Sequence, residues 1–186
     1  MNLLEMKKKY LSLIEELNPN SNQLTDDPDI AAKQNEVVNQ IQFKLARFKK
    51  IAKYVDIPVT KGQLVTFEDI GAAVGYDVYQ LGTVGGVKHE QKANGTVLKI
   101  LETGTLEVDC FVYPERITDS TKDKAYEFEL SQDAQEIMPY GIAADLLASD
   151  ASSEYGKVYA DKFREELQLL DMSNNTISIY IEGGVL

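Results

Sequence analysis

Leu3, Met6, Tyr10, Leu13 and Leu17 recur three and four positions apart, a narrow apolar seam that predicts a helix over residues 2–17. Turn formers Asn18, Pro19, Asn20, Ser21 and Asn22 interrupt it. Asp27 and Pro28 then supply an N-cap and a first-turn proline for a long second helix. Its stripe reads Val37, Ile41, Leu45, Phe48, Ala52 and Val55, and its end is expected near Val55, before the extended Ile57-Pro58 step. Over residues 57–130 the period falls from about 3.6 to two. Strands are expected at 64–67, 78–84, 87–91, 96–101, 105–113 and 126–130, with Gly85-Gly86, Asn94-Gly95 and Thr103-Gly104 as turns. Leu106, Val108, Cys110 and Val112 alternate most clearly, against Glu107, Asp109, Phe111 and Tyr113. Gly71 and Gly75, with alanines between, suggest a turn or a short helical crossing.

The helical period returns at Ser131, the expected cap of a third helix. That helix contains Pro139 and the small residues Gly141, Ala143, Ala144 and Ala148, which suit close packing at the centre of the fold. Ser152 is the expected cap of a fourth helix with Tyr155, Tyr159, Phe163, Leu167 and Leu170 as its stripe. After Ser173, Asn174 and Asn175 the chain alternates once more: Ile177, Ile179 and Ile181 against Thr176, Ser178, Tyr180 and Glu182. A strand at a chain end, with no strand just before it, either completes its own sheet or adds to a neighbour's. The expected fold class is therefore α+β: a four-helix bundle from residues 1–56 and 131–172, an inserted small antiparallel β domain over 57–130, and a C-terminal extension strand in 173–186.

Composition narrows the function. No apolar run approaches the length of a membrane span, and the N-terminal lysines interrupt the apolar order of a secretory leader. The lone cysteine agrees with a reducing compartment, so a soluble protein made inside a cell is expected. The net charge of -11 is uneven: residues 1–61 carry ten Lys/Arg against eight Asp/Glu, the remainder nine against twenty-two. That acidity argues against general nucleic-acid binding, although an acidic wall would also keep passing DNA from sticking.

Several segments resemble the head–tail connector (adaptor, or head-completion) proteins of tailed bacteriophages. They are IAAKQNEVVNQIQFKLARF at 30–48, CFVYPERIT at 110–118, FELSQDAQEIMPYGIAADLLASD at 128–150 and YADKFREELQLLD at 159–171. The resemblance implies a non-enzymatic virion subunit, made in the host bacterial cytoplasm and located in the neck. It would form a homo-oligomeric ring, dodecameric as the family implies, that binds the portal and joins it to the next neck or tail component. DNA would pass through without sequence-specific binding, and ring contacts would involve the helices of adjacent subunits. Two other readings stay open: a polymer- or peptide-binding module acting through the β insert, and a stopper or tail-completion component. A small hydrolase using dispersed carboxylates ranks behind them.

Candidate chemistry is sparse, and no cofactor, metal or catalytic group is expected. His89 lacks a His/Cys partner at ligand spacing and reads as a strand residue. Cys110 reads as a buried small hydrophobe. The run Asp26-Asp27-Pro28-Asp29 suits the positive end of a helix better than a cation. Lys44, Arg47, Lys49, Lys50 and Lys53 form the basic concentration, either compensating a helix C-terminus or docking on an acidic partner. With the alternating Ile177, Ile179, Tyr180 and Ile181 they are the candidate partner-binding residues. Ten tyrosines without tryptophan would also suit an interface, although Tyr155 and Tyr159 are expected in the core.

Overall fold

The computed structural model describes residues 1–148 and 154–174. Asn2 opens α1 (Leu3–Leu13) with a capping box: its side chain accepts from Glu5 N at 2.9 Å, and Asn2 N donates to the Glu5 carboxylate at 3.1 Å. The helix stops short of Leu17, because Glu15 takes a positive φ of 62°. Asp27 caps α2 (Pro28–Phe48) as expected, accepting from Asp29 N at 2.8 Å and Ile30 N at 3.2 Å.

The second helix ends at Phe48 and not near Val55; β1 (Ile51–Val59) takes over after two intervening residues. Ala52 and Val55 continue the helical spacing by coincidence. The same stretch alternates Ile51, Lys53, Val55, Ile57 and Val59 on the less exposed side, and all four apolar members of that set are β-branched. β1 pairs antiparallel with β6 (Gly104–Val112), in a register that sets Val55 opposite Val108 and Ile57 opposite Leu106. Between them lie β2 (Leu64–Thr66), α3 (Phe67–Val74), β3 (Val78–Gly85), β4 (His89–Lys92) and β5 (Val97–Ile100). They build two three-stranded antiparallel sheets, in the orders β1-β6-β3 and β2-β5-β4. Val59, Val65, Leu98, Ile100, Leu106, Val108 and Cys110 from both sheets, with Ile70 of α3, share one core. α3 is closed by Thr66 and Asp69 in a second capping box and by Gly75 at φ 78°.

The helical body has a separate core. α4 (Gln132–Leu147) lies at its centre and packs on α1, α2 and α5 (Glu154–Asn174). Leu3, Met6, Tyr10, Val38, Ile41, Leu45, Met138, Ile142 and Phe163 fill the space between them. A Cβ on Gly141 would stand 3.0 Å from the Phe163 ring and 3.1 Å from Ile41 Cδ1, so the small residue at this point sets the approach of three helices.

The expected fold class needs correction. The chain is α+β, but its described residues form five helices and two small sheets, not a four-helix bundle carrying a single inserted β domain. Two physical causes account for the difference. α3 lies inside the region of period two, so that region is not all β. One side of the helical core is closed by irregular chain, which contributes Ile117, Tyr126, Phe128 and Leu130. The strand expected at 126–130 is part of that chain; it makes an isolated bridge between Asn2 and Glu127, flanked by Leu3 N donating to Tyr126 O and Phe128 N to Met1 O. Ser131 stands at the N-cap of α4 without a side-chain bond to the helix backbone. Tyr155, expected in the core, is 69% exposed, while Phe163 and Leu170 are buried. Ser152 and the strand expected at 176–182 lie outside the described residues.

Candidate functional site

The five basic residues fall where α2 gives way to β1, at the joint between the two cores, and each meets a different neighbour. Lys44 Nζ lies 5.2 Å from the centroid of Phe163 on α5. Arg47 donates to Tyr113 Oη, from Nε at 2.9 Å and from its second terminal nitrogen. Lys49 pairs with Asp133 at the start of α4 at 3.3 Å. Lys50 sits 4.6 Å over the Phe111 ring of β6. Lys53 pairs with Glu129 at 3.2 Å and lies 4.3 Å over the Tyr76 ring. Arg47 lies in the last turn of α2, where it also suits the helix dipole, and the set as a whole braces α2 and β1 against α4, α5, β6 and the irregular chain. Each exposed cation–ring contact is worth about 0.5–1 kcal/mol, and each exposed ion pair about 0.2–1 kcal/mol.

An aromatic layer lies under the braces. Phe43 and Tyr113 approach to 5.1 Å between centroids, Tyr113 and Tyr79 to 4.7 Å. Tyr79 Oη donates to Ala46 O at 2.8 Å, and Tyr76 Oη donates to Glu129 at 2.9 Å. Burial works against the Lys53 charge, but the hydrogen bonds to Glu129 and Tyr76 outweigh it, so its pKa is raised. Asp133 is lowered by its bond to Ser131 first, with the backbone of Ala134 and the Lys49 ammonium adding to the effect against burial. Charge is thus retained on both sides of the joint.

Beside the joint the segment after β6 is held by amides of α2. Asn39 Nδ2 donates to Ile117 O at 2.8 Å and Ile117 N donates to Asn39 Oδ1 at 2.9 Å, a two-point reading of backbone. Gln42 Nε2 donates to Glu115 O at 3.2 Å, and Tyr126 Oη donates to Gln42 Oε1 at 3.0 Å. These buried amides occupy positions that a hydrophobicity pattern scores as polar gaps, which is why sequence spacing passed over them. Their signal is an Asn and a Gln three residues apart on the inner side of a long helix.

The remaining candidates are quickly placed. His89 is half-buried, with Nδ1 3.1 Å from Val87 O. Cys110 faces the β core, and burial pushes its thiol pKa up. Among the described residues no three His, Cys, Asp or Glu gather as a metal-holding group. An open cleft of about 850 Å³ runs between α3 and residues 113–116, walled by Phe67, Tyr76 and Tyr113 with Glu68, Glu115 and Arg116 at its margins. Ile177, Ile179, Tyr180 and Ile181 lie outside the described residues. No helix among the described residues is long and apolar enough to cross a membrane. No protein-family model and no curated protein matches this chain.

Proposed function

We propose that this chain is a structural subunit of a bacteriophage neck: one copy in a ring-shaped head–tail connector that binds the portal and receives the next tail component. The observation that carries the reading is where the resembling segments lie. Residues 30–48 fall in α2, the described residues 128–148 run through α4, and 159–171 fall in α5, three helices that share one core. Residues 110–118 run from β6 onto α2, where Asn39 and Gln42 grip the backbone. The resemblance is thus concentrated in a single body and its one anchored strap, as expected if that body is the common part and the β module an elaboration.

Chemistry in this reading is steric and electrostatic: a rigid body, a braced second module, and surfaces for neighbours. Mixing the chain with portal rings tests it. Co-sedimentation of several copies per portal ring is the expected result, and absence of the chain from purified necks would overturn it. A second reading has its own observation, the aromatic-walled cleft beside α3: a peptide or polymer segment would lie along it. Protection of Tyr76 and Tyr113 by a ligand, in a chain that ignores the portal, would favour that reading.

A further inference from the structure

The two sheets of the β module turn one side each to the shared core and one side outward, and the outward sides carry opposite charge. On the β1-β6-β3 sheet the outward positions are Tyr54 and Asp56 of β1, opposite Asp109 and Glu107 of β6. Over this row β3 offers almost no cover. Gly82 stands beside Asp109, where a Cβ would come within 3.2 Å of the Asp109 Cβ, and Gly85 stands beside Glu107. Asp56 accepts from Tyr54 Oη at 2.5 Å, and among the described residues no cation pairs with Asp56, Glu107 or Asp109. Lys50 only borders the row, over Phe111. The bond to Asp56, then desolvation, then the fields of all three carboxylates push the Tyr54 phenol up to about 12.

The outward side of the β2-β5-β4 sheet is its counterpart. Leu64, Lys99 and Glu90 form one cross-strand row, with Lys92 opposite Val97, and the backbone of Lys88 pairs with Leu101 at the end of the ladder. Glu90 is taken by Lys92 at 2.8 Å, leaving Lys88 and Lys99 as net positive charge. The large exposed apolar side chains of the module divide between these two sides: Tyr54, 58% exposed, in the acidic one; Leu64, 57%, and Leu101, 36%, in the basic one.

We propose that the acidic side of one copy docks on the basic side of the next, so that β modules join head to tail around the ring. Both halves of a complementary pair are present on one chain, which makes a second copy the occupant. A two-fold contact through either side alone would set like charge on like, whereas a head-to-tail contact sets acid on base and closes into a ring when its rotation allows. Like charges directly opposite on a sheet, as Asp56 and Glu107 are, cost stability in the isolated chain. A neighbour's lysines remove that cost, and Tyr54 with Leu64 and Leu101 gives the contact an apolar centre inside a charged rim.

This inference rests on the ring reading above, and charge swapping separates the two. One full-length variant carries Asp56→Lys with Asp109→Lys; the other carries Lys88→Glu with Lys99→Glu. Association is measured by sedimentation at low and high salt, free and on portal rings. The wild type should associate most at low salt, and each variant alone should lose about tenfold or more in association. Mixed together, the variants should recover it as alternating copies, which also shows that both are folded. Variants that associate like the wild type, a mixture that fails to recover, or a wild type that never self-associates would each overturn the head-to-tail contact. Portal binding by single copies, measured separately by pull-down, reports on the neck reading whichever result is obtained.

Discussion

Asn39 makes the most demanding contact of any single side chain at the joint. Its amide satisfies both the N–H and the C=O of Ile117 in a buried setting, so Asn39→Leu orphans two backbone groups at once. A loss of about 2–3 kcal/mol in denaturant unfolding is expected, from about 1–3 kcal/mol per unsatisfied buried group partly offset by apolar burial. Lys53 and Glu129 are a milder case: a double-mutant cycle should return a coupling of about 0.5–1 kcal/mol, and exchanging the two residues should restore most of it. Two tyrosines set the alkaline limit. Burial holds the Tyr126 phenol up at about 12, against the lowering bond to Gln42, and burial holds Tyr10 higher still. A phenol whose pKa is raised by folding stabilises the native state fully below its unfolded value of 10.0, and that stabilisation is lost as pH climbs toward and through the folded value. Unfolding midpoints should therefore fall between pH 10.0 and about 12, with Tyr126→Phe flattening the slope. A midpoint that stays constant across this window would contradict the buried placement of both rings.

Among the elements, α4 lies at the centre of the helical body, and Gly141 tests its packing. With Phe163 and Ile41 at 3.0 and 3.1 Å from an added Cβ, Gly141→Val should cost about 1–3 kcal/mol and lower the melting temperature, whereas an uncrowded helix site would gain from losing glycine. This centrality was legible in the run of small residues after Pro139, as were β6 from its strict alternation and the cap of α2 from Asp27-Pro28. The end of α2 was not legible. Residues 51–55 satisfy both periods at once, and what decides between them is pairing with β6, some fifty residues along the chain. Residues 126–130 misled in the opposite way: Tyr126, Phe128 and Leu130 alternate into a core, yet they close the side of a helical body with a single bridge to Asn2. Period two reports one buried face, not a sheet. The basic cluster was legible as a cluster, but its neighbours Phe111, Tyr76, Glu129, Asp133 and Phe163 are distant in sequence, so its bracing role was not.

At the scale of the whole molecule, two cores meet at a joint held by the α2–β1 connection, the aromatic layer and the contacts of Arg47, Lys50 and Lys53. Breaking two braces together, with Lys50→Glu and Lys53→Glu, should leave both cores folded while speeding proteolysis near residues 49–50, since each brace is individually weak. The C-terminal isoleucines belong to the same scale. Covering Ile177, Ile179 and Ile181 is worth about 1.5–3 kcal/mol each when complete. Deleting residues 174–186 should therefore leave the monomer's melt cooperative while weakening attachment in the neck; loss of the cooperative melt would place that segment in the chain's own core. The proposed role as a ring-forming neck subunit is tested most directly by electron microscopy of portal rings mixed with the full-length chain. A closed ring of copies on the tail-facing end of the portal, with neighbouring β modules in contact, is the expected result. Bare portals, or isolated copies bound without touching one another, would contradict it.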